Sequence, residues 1–214
     1  MWGDWLPDGF QVEPVDPPGR GRRHREPPLD RWSLLVAELG RTIRDRIDGP
    51  YLLAGHSFGA LLAYELALVL ERTSTPPALL LVAGRNGPTA GLSHRPIHDL
   101  PDDQLLRALG RLGGTPEAVL DEPGLIRLWL PVLRTDLRLA ETYSRRPVEP
   151  LSCPIAAFLG RRDRMADPAG VLAWHRETTA RFDLTVVDAG HFLMDHPDFV
   201  AAVTARLSAL RPSG

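Results

Sequence analysis

The sequence predicts an α/β protein: a mostly parallel sheet with helices on both faces and a helical insertion between two strands. Three observations carry this. Short apolar runs of strand length alternate with longer amphipathic stretches, as in a parallel sheet whose crossovers are helices. One alternation is abrupt: Tyr51–Ala54 runs into Gly55-His-Ser-Phe-Gly59, a match to G-x-S-x-G, and the apolar helical stretch Leu61–Leu70 comes at once after it. The alternation then lapses for about 45 residues of helical pattern before strands resume.

A strand, a tight turn and a helix, with serine at the tip of the turn, expose a hydroxyl at the edge of a sheet. The turn is strained, and Gly55 and Gly59 let strand and helix approach closely. Ser57 is therefore a candidate nucleophile.

The other elements take their places along the chain. Phe10–Val15 alternates apolar and polar residues and reads as a strand, and Pro17–Arg23 breaks regular structure. Arg20, Arg22, Arg23 and Arg25 cluster there; with Asp16 and Glu26 flanking them they read as a solvated loop rather than an anion site. Asp30 is placed to cap a helix carrying Trp32, Leu35, Val36, Leu39, Ile43 and Ile47, which Gly49-Pro50 ends. Ala78–Ala83 is the next strand, and Pro88–His98 is a loop. A helix beginning near Leu100 holds Leu105, Leu106 and Leu109, Gly113–Pro116 restarts a helix, and Pro123–Tyr143 is a long amphipathic pattern. Pro131 is expected to bend that pattern or divide it. An insertion of this kind, about residues 100–145, commonly acts as a lid over a site at the strand ends. Leu128, Trp129 and Leu133 are apolar residues of that lid, and periodicity does not say which of them face a pocket. Pro154–Leu159 is a strand, Asp167-Pro168 caps a helix with Leu172 and Trp174, Phe182–Val187 is the last strand, and Pro197–Leu210 the closing helix.

Composition bounds the function. A chain of 214 residues with 43% apolar content is expected to form one domain with a substantial core. A net charge of −2 leaves no electrostatic footprint for nucleic acid. No apolar run reaches membrane-spanning length, and Met1-Trp-Gly-Asp4 opens no signal peptide, so a cytoplasmic protein is expected. The single Cys153 excludes an internal disulfide and a Cys-rich metal site. All basic residues are Arg, which reads as coding bias of a GC-rich genome. No zinc-type motif and no G-x-G-x-x-G after a strand is present, so neither metal nor other cofactor is expected.

Serine needs a base, and the base needs an orienting carboxylate. In an α/β-hydrolase these come after the serine as acid, then histidine. Asp163 stands just past one strand and His191 just past the next, on the sheet edge where Ser57 is exposed. The competitors read otherwise: Asp167 as a helix cap, Asp188 as too near the histidine loop, His196 as a surface residue at a helix start, and His56 as structural. His24, His94, His98 and His175 lack a partner pattern. A cofactor-free acyl hydrolase is the reading that remains.

Gly55–Ala67 resembles the elbow of the type II thioesterases that accompany nonribosomal peptide and polyketide synthases. Pro18–Arg23 with Glu26–Pro28, Leu112–Pro116, Pro131–Tyr143, Cys153–Ile155 and Gly190–Phe192 are similar to the same family, so the likeness covers nearly the whole chain. The resemblance implies hydrolysis of misprimed or stalled acyl groups from the phosphopantetheine arm of acyl or peptidyl carrier domains. It implies Ser57 as nucleophile, His191 as base, Asp163 as acid and the Phe58 backbone N–H as one oxyanion donor. It also implies a second donor, from a strand and an Ala-Gly-Gly-like loop that residues 1–214 do not contain; Met1–Pro7 resembles the segment just after that loop. A strand edge is then expected to lie exposed beside the elbow. Two other functions stay open: a serine esterase or acyl-CoA thioesterase on small substrates, and a truncated, catalytically weak carrier-binding remnant.

Overall fold

The computed structural model describes residues 5–113, 123–145 and 147–210, without the side chains of 123, 125, 127 and 128. Four strands, β1 (Leu52–His56), β2 (Leu79–Ala83), β3 (Ile155–Gly160) and β4 (Phe182–Val187), pair in parallel in that order. Helices cover both faces. Leu80, Val82, Ile155, Ala157 and Leu159 pack with α1 (Trp32–Arg44) and α2 (Phe58–Thr73). Leu79, Leu81, Ala83, Ala156 and Phe158 pack with Phe199, Val203 and Leu207 of the closing helix, Pro197–Ala209. Because β2 and β3 are buried on both faces, they read as unbroken apolar runs instead of alternating ones.

The two ends of the chain's first third differ from expectation. Phe10–Val15 forms no strand and pairs with none among the described residues. It faces the outer edge of β1 across a groove of about 960 Å³ that Phe10, Val15, Ile43, Ile47, Leu52 and Leu53 help line. Alternation marks a chain able to form a strand, but a strand exists only where a ladder partner is in reach. β1 is an edge, as expected, and its central Ala54 is exposed. At α1 the N-cap residue is Arg31, with no side-chain cap. Asp30 instead accepts a hydrogen bond from Arg138 at 3.1 Å, so an ion pair with a distant helix replaces the cap. Helix α1 stops at Arg44, and Ile47 still packs on the core from beyond it.

The insertion contains α3 (Asp102–Leu112) and α4 (Pro123–Glu141). Leu105, Leu109, Leu130 and Leu137 form a cluster of their own, with Leu133 and Met165 against it. Gly113 closes α3 in the left-handed conformation, at φ 70°. The helix expected to restart over Gly113–Pro116 lies, beyond Gly113, outside the described residues. Pro131 does not divide α4, which continues through it. Contacts that tie the C-terminal half of α4 and its exit to the body include Arg20 with Asp136, Arg138 with Asp30, Trp32 Nε1–H to the Leu139 carbonyl at 3.0 Å, and Tyr143 OH to Glu65 at 2.7 Å. Among the described residues no helix is long and apolar enough to cross a membrane.

After β3 comes α5 (Pro168–Leu172), capped as expected: Asp167 Oδ1 accepts from Gly170 N at 2.8 Å. A 3₁₀ turn, Ala173–Glu177, buries Trp174 completely, and its Nε1–H donates to the Arg85 carbonyl at 2.8 Å. The closing helix, α6, is Pro197–Ala209.

Candidate active site

The site is assembled from the C-terminal ends of β1, β3 and β4. At the first, Ser57 stands between β1 and α2 with φ 54° and ψ −117°, the one non-glycine residue with positive φ among the described residues. A side chain rarely adopts that backbone, so its presence at the tip of a G-x-S-x-G turn points to function. The approach of strand and helix is close. A Cβ built on Gly55 would lie 2.0 Å from the Gly59 carbonyl oxygen, a separation only glycine permits. Ser57 N–H donates to Ala83 O at 2.8 Å, fixing the turn to the end of β2. Phe58 is the first residue of α2, where backbone N–H groups have no partner within the helix.

Asp163 lies just after β3. Its Oδ1 accepts from Met165 N at 2.8 Å and Ala166 N at 3.3 Å, which hold the carboxylate in place. His191 lies just after β4, and its Nδ1 is 3.0 Å from Asp163 Oδ2 and 3.1 Å from Oδ1. The two loops touch: a Cβ on Gly160 would meet Gly190 O at 2.1 Å. Both side chains are withdrawn from solvent, at 2% exposure for His191 and 0% for Asp163. A carboxylate on Nδ1 selects the tautomer with its proton there, which leaves Nε2 the basic nitrogen.

Ser57, Phe58 and His191 line one cavity of about 250 Å³. Leu109, Leu133, Leu137 and Met165 form its apolar wall, so α3 and α4 roof the site. Trp129, by contrast, is exposed, and the Leu128 side chain lies outside the described residues. The four residues singled out from the sequence, Ser57, Phe58, Asp163 and His191, thus meet in one place.

The competitors are elsewhere or otherwise occupied. Asp188 pairs with Arg162 on the surface. His196 is the cap residue of α6 and accepts from Asp198 N at 3.2 Å. His98 bonds Glu141 at 2.6 Å, and His175 bonds Leu172 O at 2.8 Å. Among the described residues no group of three or more His, Cys, Asp or Glu is placed to hold a metal ion.

Sequence reasoning missed the position of Arg20. It is not solvated: it pairs with Asp136 of α4, a cavity-lining residue, and its guanidinium sits 5.6 Å from the Phe58 ring centroid. Burial lowers its pKa to about 10. Its carboxylate partner is 116 residues away, so nothing local signals the pairing. Arg85 also lines the cavity, bound to Ala140 O at 2.6 Å near the end of α4, and burial lowers it to about 10 as well. A cation at that position suits the negative end of a helix dipole.

Comparison with known proteins gives the family. The model of the thioesterase domain matches residues 2–209. The gramicidin S biosynthesis protein GrsT of Aneurinibacillus migulanus is 32% identical over 194 residues, 90% of this chain and 76% of its own. RedJ, a thioesterase from the prodiginine biosynthetic pathway in Streptomyces coelicolor, superposes with a TM-score of 0.85 at 38% identity, covering 97% of this chain and 78% of RedJ. ClbQ from the colibactin NRPS/PKS pathway superposes at 0.88 with 30% identity, covering 97% and 90%. The family match spans residues 2–209, nearly the whole chain: the chain belongs to the thioesterase family.

Proposed function

We propose that this protein is a cytoplasmic serine thioesterase that clears acyl groups from the phosphopantetheine arm of acyl or peptidyl carrier domains in nonribosomal peptide or polyketide synthesis. Residues 1–214 act as one domain, with about residues 100–145 as its lid. The observation that carries the reading is the shared cavity: a serine held at φ 54° and a histidine bonded to a buried carboxylate line the same space.

The chemistry comes from those groups. His191 Nε2 takes the Ser57 Oγ proton as Oγ attacks the thioester carbon. The Phe58 N–H, at the positive end of α2, stabilises the oxyanion. The C–S bond breaks, and the leaving thiolate recovers the proton from the His191 imidazolium, whose charge Asp163 balances. Water then gives a proton to His191 and attacks the acyl-serine. Collapse frees the carboxylic acid and returns the proton to Ser57. The pathways named for GrsT, RedJ and ClbQ support carrier-bound substrates.

The test compares one acyl group on two carriers: loaded on a holo carrier protein and on coenzyme A. The proposal expects a higher kcat/KM for the carrier protein. A preference for coenzyme A, or for a small oxygen ester, would assign the site to free substrates instead.

A further inference from the structure

We propose that His56, the residue immediately before the nucleophile, is a positioning residue that locks the His191 loop to the serine turn. The inference rests on His191 being the base of the proposed thioesterase.

Asp163 restrains only the His191 ring. The backbone carrying that ring belongs to the irregular segment between β4 and α6, which no sheet ladder or helix holds. Hydrogen bonds to its carbonyls supply the restraint: besides Arg162 Nη2 to Asp188 O at 2.8 Å, two flank the base itself. Arg162 N donates to Ala189 O at 2.9 Å, from the loop that also carries Asp163. His56 Nε2 lies 2.8 Å from the carbonyl oxygen of His191 itself, a contact spanning 135 residues. A carbonyl only accepts, so His56 must carry its proton on Nε2. The imidazole also packs on the His191 ring, with centroids 4.6 Å apart and planes at 52°, and on Phe192 at 5.6 Å. The base is thereby held by its ring from Asp163 and by its backbone from the residue adjoining Ser57. Any drift of the base loop away from the nucleophile must break the His56 bond.

The surroundings are cut to admit this ring. Gly84, at the end of β2 with φ 61°, would place a Cβ 2.8 Å from His56 Nε2 and 3.3 Å from His191 Cε1. His56 also stays neutral: burial, and then the neighbouring His191, lower its pKa to about 4. That matters because His191 becomes a cation during turnover, and a charged neighbour would oppose it.

The experiment uses acetyl-pantetheine with His56→Leu and His56→Gln, whose amide nitrogen reaches near the Nε2 position. For His56→Leu the expected result is a kcat lower by roughly 10²-fold, as for a misplacement on the order of 1 Å, with KM unchanged. Its His191 Nδ1–H proton resonance should shift or broaden. His56→Gln should restore most of kcat and the resonance. Wild-type kcat and resonance in His56→Leu would overturn the role. So would an equal loss in His56→Gln. If His56→Leu does not fold, His56→Asn replaces it: its shorter amide misses the carbonyl, so Asn must be impaired where Gln is not, and equal rates refute the proposal. Ser57→Ala in the same assay separates the two levels. Its inactivity beside an unimpaired His56→Leu removes only the positioning role, whereas hydrolysis surviving Ser57→Ala removes the triad too.

Discussion

His191 Nδ1 and Asp163 Oδ2 lie 3.0 Å apart, joined across 28 residues by loops that touch where Gly160 meets Gly190. The carboxylate has no solvent exposure and spends its oxygens on His191 and on the N–H groups of Met165 and Ala166. In the proposed mechanism its work on His191 is to hold the tautomer with Nε2 basic. Asp163→Asn keeps the size but offers an amide N–H to Nδ1, favouring the wrong tautomer. Its kcat should fall roughly 10³–10⁴-fold, with near-normal thermal stability, measured by steady-state thioester hydrolysis and calorimetry.

Gly55→Ala should damage the fold rather than the chemistry. The added Cβ would sit 2.0 Å from a backbone oxygen, which no side-chain rotation can relieve. Overpacking against backbone at the elbow is expected to cost about 3 kcal/mol, read as a lower urea midpoint. Gly59→Ala, which meets nothing within 4 Å, is the control and should be far milder.

Stability should fall as the pH drops from about 6.5 toward 4. His56 is lowered to about 4 by burial and by His191, with Asp163 opposing. In the unfolded chain an ordinary histidine takes up a proton in this interval that the folded protein refuses. Acid therefore favours unfolding, by at most about 3 kcal/mol at pH 4. Urea titrations of wild type and His56→Gln across that interval check it: the variant should show the shallower dependence.

The Arg20–Asp136 pair should behave as one unit. It joins the loop after Pro17 to α4, with Arg20 over Phe58 and both side chains mostly buried, at 16% and 21% exposure. Arg20→Gln and Asp136→Asn each strand a partner. The double variant should be less unstable than the sum of the two, by about 1–3 kcal/mol in a double-mutant cycle. Additive effects would make the pair a passive surface contact.

Much of the architecture is readable from residue order alone, for physical reasons. β2 and β3 are sandwiched between helices, so Leu79–Ala83 and Ile155–Gly160 had to be continuously apolar. Ser57, Asp163 and His191 each come after a parallel strand, and parallel strands deliver such residues to one edge. The rest depends on distant partners that no local pattern encodes. Asp30 has a cap's composition, but Arg138 claims it. Arg20 sits in a basic, proline-rich run like any solvated loop, but Asp136 and Phe58 claim it. Phe10–Val15 has a strand's alternation, but a groove separates it from the edge of β1, so no ladder forms. His56 looks like an ordinary elbow residue until the His191 loop is folded over it.

The central claim is that Ser57 performs the chemistry in the cavity it shares with His191. Hydrolysis of acetyl-pantetheine by wild type and Ser57→Ala, matched for folding by circular dichroism, tests it most directly. The variant should lose at least about 10³-fold in kcat. Equal rates in the two proteins would contradict it.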